Sequence, residues 1–316
     1  MYLNMLNDHL RRRFGRKVYK LSLSTGCSCP NRDGTLGSRG CIFCDGAGAF
    51  AAAGEIGAQI AAAKARVAAK AGPDAGYIAY FQSFTNTYGP AERLRPLFEA
   101  AIAPEEVVGL SIATRPDCLG PEILALLADL AKGKPLWVEL GLQTVHPESA
   151  AWIRRGYDLP VFEQAVRDLH RIGAEVVVHQ ILGLPGEKLE DMVTTARYIG
   201  SMADGVKFHL LHVLRGTDLE PEWRAGNVPE MTLQQYTDTL AACIRVIPKS
   251  VVIHRLTGDG AKRDLLAPLW TGDKKRVLNQ ITRAFWEADL EQGSGLDFFV
   301  DRPIMKPTIS EKEREI

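Results

Sequence analysis

Four of the six cysteines fall in one stretch, residues 24–49 (STGCSCPNRDGTLGSRGCIFCDGAGA), spaced Cys27-x-Cys29-x11-Cys41-x2-Cys44. Thiols at short spacings in a loop without apolar periodicity point to a metal or cluster site, because thiolates favour zinc and iron–sulfur centres. The Cys41–Cys44 pair can bring two sulfurs to one centre. Gly40 relieves the backbone before it, and Pro30, Gly34, Gly37 and Gly46 supply the turns that wrapping needs. Three chemistries compete. Four cysteines could close a structural zinc site, although such sites usually pair two C-x2–4-C knuckles and Cys27-x-Cys29 is tighter. A disulfide framework is the least favoured. The third is a [4Fe–4S] cluster held by three thiolates, with one iron left open. Spacing alone leaves zinc and iron–sulfur both standing.

The chain around this loop is 316 residues long, 46% hydrophobic and 24% charged, which suits one large domain or two modest ones. No run approaches the ~18 apolar residues of a membrane span. Residues 1–20 carry Arg11, Arg12, Arg13, Arg16 and Lys17 without an apolar stretch after them, unlike a secretory signal. A cytoplasmic protein is expected, where clustered cysteines serve metal or redox chemistry more often than bridges. Formal net charge is zero, which disfavours a strongly electrostatic, non-specific nucleic-acid binder but leaves room for a local basic patch.

Strand-like and helix-like segments alternate. Residues 17–25 read as a first strand, placing the cysteine loop directly after it, and residues 54–70 as an Ala-rich helix. Strands are expected at 76–83, 107–114, 136–144, 174–182 and 205–214, with helices at 94–102, 122–132, 160–172, 187–202 and 232–247. A short apolar segment, 250–256, follows. This beat implies βαβ units and a parallel sheet. In such folds function collects beyond the C-terminal strand ends. Those ends are polar here: Gln82 and Ser83 after strand two, Arg115 after strand three, Gly183 to Glu187 (GLPGE) after strand five.

Period two sharpens the reading. On strand four Glu139, Gly141 and Gln143 share one face, and Val138, Leu140 and Leu142 the other. A carboxylate on an otherwise apolar strand is costly to bury without partners, and facing a polar ligand in a barrel lumen explains it. On strand six Lys207 and His209 separate from Phe208 and Leu210. On strand five His179 opposes Gln180. Which of each pair faces inward is left open.

Seven blocks, CPNRDGTLGSRGCIFC, YFQSFTNTY, IATRPDC, ELGLQTVHPESAAWIRRGYD, HQILGLPGE, KFHLLHVLRGTDL and RLTGDGAKRDLLAPLW, resemble the radical S-adenosylmethionine (SAM) superfamily. The closer likeness is to its YhcC/YtqA-type branch, relatives of the catalytic subunit of Elongator, and it runs from about residue 24 to 270. The resemblance implies an α/β fold, a partial (β/α)6 TIM-type barrel with a helical C-terminal extension. The expected divisions are a basic segment at 1–16, the core barrel at 17–256 and an extension at 257–316, helical over 265–290, with the tail from about 301 poorly ordered. It implies a [4Fe–4S] cluster on Cys29, Cys41 and Cys44, with SAM on the open iron. Cys27 departs from the pattern and is expected to be free or packing. Gln82, Ser83, Glu139, Gln143, Gly183, Pro185 and Gly186 match positions near the cofactor. Arg115, His179, Lys207 and His209 are the candidates to hold substrate.

The resemblance also implies an electron donor such as flavodoxin or ferredoxin. The expected substrate is tRNA, at its wobble uridine. The alternatives are a radical SAM enzyme acting on a small metabolite or peptide, and a non-catalytic binding protein stabilised by zinc or a cluster. Lys262, Arg263, Lys274, Lys275 and Arg276, with the Arg11–Arg13 group, are the basic residues that could meet phosphates. Cys118 and Cys243 read as core thiols. Oligomeric state is not read from the sequence.

Overall fold

The computed structural model describes residues 1–45, 54–258 and 262–296. Gly46, the end of the cysteine loop, residues 259–261 and the tail from 301 lie outside the described residues. The elements run α1 (Leu6–Phe14), β1 (Val18–Leu23), α2 (Ile56–Val67), β2 (Gly76–Phe81), α3 (Ala91–Ile102), β3 (Val107–Thr114), α4 (Pro121–Ala131) and β4 (Leu136–Gln143). They continue with α5 (Pro147–Trp152), α6 (Leu159–Arg171), β5 (Glu175–Leu182), α7 (Leu189–Gly200), β6 (Gly205–Leu210) and β7 (Val213–Leu214). Last come α8 (Leu219–Arg224), α9 (Leu233–Arg245), β8 (Val252–Arg255), β9 (Leu265–Ala267) and α10 (Lys274–Glu287). Among the described residues no helix is long and apolar enough to cross a membrane.

Seven strands form one parallel sheet in the order β1-β2-β3-β4-β5-β6-β8. The sheet curls. Lys207 on β6 donates a 3.0 Å hydrogen bond to the Tyr80 hydroxyl on β2. In a flat sheet strands four places apart stand about 19 Å from one another, too far for two side chains standing upright to meet. The alternation along each strand then sorts residues into an outer face and a lumen. Leu21, Leu23, Phe81, Val138, Leu140, Val178 and Phe208 pack outward under the helices, where Phe81 meets Phe98 of α3 edge-on at 5.0 Å.

The lumen is closed at the N-terminal ends of the strands. Leu10 of α1, 2% exposed, packs on Ile78, Trp137 and Val177. The Trp137 indole donates to Glu175 at 2.7 Å, and Arg13 pairs with the same carboxylate while lying 5.2 Å over the Trp137 ring. Ile253 N–H donates to Asn4 O at 2.8 Å, which ties the segment before α1 to the edge strand β8. Residues 1–16, expected as a basic segment, are thus a plug. Arg13 serves the lumen floor, and Arg12 donates to Asn4 at 2.8 Å.

Other expectations are corrected. The sheet has a seventh strand, β8, in the apolar segment at 250–256. The expected strand 205–214 breaks after Leu210, and β7 pairs antiparallel with β9 in a separate ribbon. The expected helix at 265–290 begins only at Lys274, because Pro268 and Gly272 interrupt it and the Asp273 side chain caps the Arg276 N–H at 3.1 Å. Helices α1, α5 and α8 were not anticipated.

The plug yields a first prediction. Leu10→Ala should lower stability by about 2–5 kcal/mol, as emptying a buried leucine site does. Urea unfolding followed by circular dichroism measures it, and a loss below about 0.5 kcal/mol would show that α1 closes nothing.

Candidate active site

The cysteine loop leaves β1 at its C-terminal end and is held from three sides. Thr25 and Asn86 fix its start. The Asn86 Oδ1 accepts from the Thr25 N–H at 3.3 Å and its hydroxyl at 3.0 Å, while Nδ2 donates to Ala113 O on β3 at 3.0 Å. Asn86 is fully buried, so each of these bonds replaces one to water. Ile42, between Cys41 and Cys44, inserts into a small apolar cluster with Ile153, Ile181, Leu184 and Leu219. Its N–H donates to Ile153 O at 3.3 Å and its carbonyl accepts from Leu219 N–H at 3.0 Å. Asn31 Nδ2 donates to Arg154 O at 2.7 Å and approaches Cys41 Sγ at 3.5 Å. Gly156, at φ +79°, lets Asn31 in: a Cβ there would stand 2.7 Å from its Oδ1.

The thiols divide accordingly. Cys29, Cys41 and Cys44 are half-buried, and the Cys41 thiol feels both others. Burial, first of all, pushes Cys41 up to about 11. Cys27 turns away. It is 4% exposed, belongs to the main core and receives a 3.7 Å contact from Arg93 Nη1. Cys243 is a core thiol as expected. Cys118 is not: it sits half-buried in the turn after β3, where burial and the neighbouring Asp117 push it up to about 12 and Cys29 adds to the effect. Among the described residues no three His, Cys, Asp or Glu side chains converge as one bound metal ion requires. Thiolates around an iron–sulfur cube each meet a separate iron, and three thiols on one loop match the ligand chemistry of that group.

Around the loop lie the other strand ends. Arg115, expected in the lumen, stands beside the cysteines instead. Its Nε and Nη2 bind Asp117 at 2.9 and 2.7 Å, its Nη1 donates to Arg155 O at 2.8 Å, and its charge reaches Cys29 and Cys41. Gln82 is half-buried and Ser83 buried after β2. Gln143 ends β4 with φ +70°. Phe84 and Arg154 are also left-handed, at φ 59° and 57°, so three of the four described non-glycine residues in that region surround the cysteine loop. Such strain costs about 1–3 kcal/mol each and gathers at functional sites. At the end of β5, Gly183 takes φ +84° with a Cβ position 2.9 Å from Met231 Sδ, whereas Gly186 at φ +85° faces open space. Pro185 between them is half-buried. Glu187 accepts from Thr144 Oγ1 at 2.6 Å, and burial raises its pKa.

Below this rim, in the lumen, Glu139 gathers five donors from five other strands. Lys20 of β1 and Ser111 of β3 reach Oε1 at 2.7 and 2.8 Å. Tyr80 of β2 and His179 of β5 reach Oε2 at 2.9 and 3.0 Å, and Lys207 of β6 joins them. Burial works to raise the Glu139 carboxyl, but Lys20 and Lys207 outweigh it and hold it well below the usual range. Burial holds Lys207 well below the usual lysine range despite Glu139, with Lys20 and Arg255 adding to the shift. His179 and His209 face inward together, ring centroids 5.1 Å apart, while Gln180 faces the helices and donates to Met192 O at 2.7 Å. Expected as a cofactor contact, Glu139 is instead fully enclosed by protein donors. Lys20, Tyr80 and Ser111 escaped the sequence reading. Lys20 alternates with Leu21 and Leu23 and could have been found; Tyr80 lies in a strand buried on both faces, where period two carries no signal.

A sequence profile of the Radical SAM superfamily matches residues 32–199, and one of the Radical_SAM C-terminal domain matches residues 203–287. The YtqA protein of Bacillus subtilis (strain 168) is 41% identical over 293 residues, covering 91% of this chain and 91% of its own. A tRNA uridine(34) acetyltransferase of Dehalococcoides mccartyi (strain CBDB1) is 28% identical over 175 residues, covering 54% of this chain and 37% of its own. Among solved structures, the archaeal Methanocaldococcus infernus Elp3 lacking its N-terminus superposes with a TM-score of 0.65 at 17% identity, over 87% of this chain and 64% of that one.

The Glu139 site generates a second prediction. Glu139→Gln leaves two buried ammonium groups short of their counter-charge and should cost about 3–5 kcal/mol at pH 7. Glu139 is depressed on folding, so its contribution is fully present above its ordinary pKa of 4.5 and fades as pH falls through the lower folded value. Urea melts from pH 7 downward should therefore show the gap between wild type and Glu139→Gln closing below about 4.5. A gap that is absent at pH 7, or constant with pH, contradicts the assignment.

Proposed function

The chain belongs to the radical SAM superfamily, and from that premise we propose that it modifies tRNA at the wobble uridine. Membership makes it a radical SAM enzyme and implies a [4Fe–4S] cluster and SAM as cofactors, which sets aside the zinc-stabilised binding protein. The observation that carries the site reading is the division of the thiols: Cys41 lies within reach of Cys29 and Cys44 on a single loop, while Cys27 is buried in the core. Cys29, Cys41 and Cys44 would hold the cluster, which would supply the one-electron chemistry for reductive cleavage of SAM and hydrogen abstraction from an unactivated C–H.

The chain's own residues would then bind and orient. Arg115 sets a positive charge beside the cysteine loop, where it can face the negative charge of a bound thiolate cluster. Gln82, Ser83 and Gln143 present polar groups at the strand ends, and the Gly183 to Gly186 turn lets backbone approach an adenine closely. His179, Lys207 and His209 line the lumen beneath and hold the substrate. A donor such as flavodoxin or ferredoxin supplies the electron.

The relative described as a tRNA uridine(34) acetyltransferase supports tRNA as the substrate. So does the placement of basic residues. Lys274, Lys275 and Arg276 are exposed on the first turn of α10, just after Trp270, whose indole donates to Met231 O. Met231 touches Gly183, so this turn lies on the cysteine-loop side. The Arg11–Arg13 group lies on α1 at the opposite, closed end of the barrel, where RNA reaching the cofactor would not meet it.

Two experiments test this. In anaerobically reconstituted, dithionite-reduced protein, the EPR signal of the cluster should change on adding SAM. Cys41→Ala should abolish the signal and Cys27→Ala should keep it; equal loss in both would overturn the ligand set. Reversing Lys274, Lys275 and Arg276 to Glu should weaken bulk tRNA binding and reduce its log–log salt slope by up to about three. An unchanged slope would remove tRNA from this surface.

A further inference from the structure

In the middle of the lumen two ammonium groups share one carboxylate. Lys20 and Lys207 both contact Glu139, and both ammonium groups lie 4.5 Å from the Tyr80 ring centroid, one reaching it from the adjacent β1 and one from β6 across the lumen. Arg255 of β8 adds its charge to Lys207, His179 and His209. Among the described residues Glu139 is the acid whose charge reaches Lys207, His179 and His254, and the strongest charges on His209 come from His179, Arg255, Lys207 and His212. His209 Nε2 is buried and has no hydrogen-bond partner among the described residues.

Room exists above this layer. Gly141 follows Glu139 on the inward face of β4, and a Cβ there would meet only the Gln143 amide, at 2.9 Å. The side chains of Lys20 and His179 are each 19% exposed, so the lumen is open down to their level. Glu139 and Lys207 lie four and three residues short of the ends of their strands, about 10–13 Å below the rim. Cys29, Cys41 and Cys44, which would hold the cluster, stand at that rim.

We propose that the lumen above Glu139 binds an oxyanion carried by the substrate, a carboxylate or a phosphate, between His209 and His179 on one wall and Lys20 and Lys207 below. Such a group supplies a second negative charge and accepts from His209 Nε2, which burial otherwise leaves without a bond. The anion anchors the substrate with its remaining atoms directed up toward the cofactor. The inference rests on the radical SAM reading, because that reading places the cofactor above the lumen.

The test uses the full-length, cluster-reconstituted protein with two probes, inorganic phosphate and acetate, at constant ionic strength in chloride. Calorimetric titration with and without SAM gives the dissociation constants. The expected result is saturable binding of one probe in the millimolar range or tighter, unaffected by SAM and weakened at least tenfold in both His209→Phe and Lys20→Met. The probe that binds better identifies the oxyanion. Absent binding, binding equal in wild type and variants, or competition by SAM would each overturn the proposal, the last by assigning the anion site to the cofactor's own carboxylate. EPR of the same wild-type sample separates the two levels. A SAM-perturbed signal without anion binding sinks the oxyanion site alone, and an unperturbed signal sinks the radical SAM reading.

Discussion

The barrel turns on one buried carboxylate. Glu139 projects from β4, the middle strand of seven, and its oxygens accept from β1, β2, β3, β5 and β6. Those donors can meet at one point only if the sheet is strongly curled. Removing so many polar groups from water is expensive, and a buried ion pair is stabilising only when its geometry is good and its remaining lone pairs are filled. Here they are filled, on both oxygens. The arrangement fixes the radius of the lumen and thereby sets where the strand ends stand around the rim. Everything held at that rim inherits its position from this contact.

The cysteine loop depends on that inheritance, since few of its contacts are internal. Asn86 links it to β1 and β3, Ile42 wedges it between α5 and α8, and Asn31 ties it to Arg154 beyond β4. These anchors come from three different βα connections and from β3 itself. A change in the curl would move them relative to each other, and the three thiols would separate. The strained residues Phe84, Gln143 and Arg154 lie at the same junctions, where the chain must turn sharply from strand to rim. Their left-handed backbone is tolerable because buried neighbours determine it from several sides.

Much of this was legible in the sequence, for identifiable reasons. The alternation of strands and helices follows from apolar periodicity, and the seven blocks from the cysteine loop to about residue 270 carried the family. Period two placed Lys207 and His209 on one face correctly but could not say which face was inward, since that depends on the partner strands. Glu139 looked like a ligand contact because its strand neighbours are apolar; the donors that enclose it come from residues as distant in sequence as Lys20 and Lys207. Arg115 was misplaced by one layer for a similar reason: Asp117, two residues later, draws it to the rim. The plug was missed because residues 1–16 were read by charge, whereas the apolar stripe of Leu6, Leu10 and Phe14 does the packing.

The lumen is layered, and the layers explain one another. At the bottom Leu10, Ile78, Trp137 and Val177 exclude water and leave no exit. In the middle, ionised groups lie close to that apolar floor, so their mutual attraction is weakly screened and holds the walls rigidly. At the top, polar strand ends and thiols remain partly exposed. On the proposed reading, a radical formed at the rim would need such a well beneath it, because water and mobile side chains near the reacting carbon would quench it or let it wander. An apolar floor alone would close the well but could not orient a polar substrate. A charged layer open to solvent at both ends would lose its grip on one. Joined, they give a cup with one opening, and the cysteine loop stands at that opening.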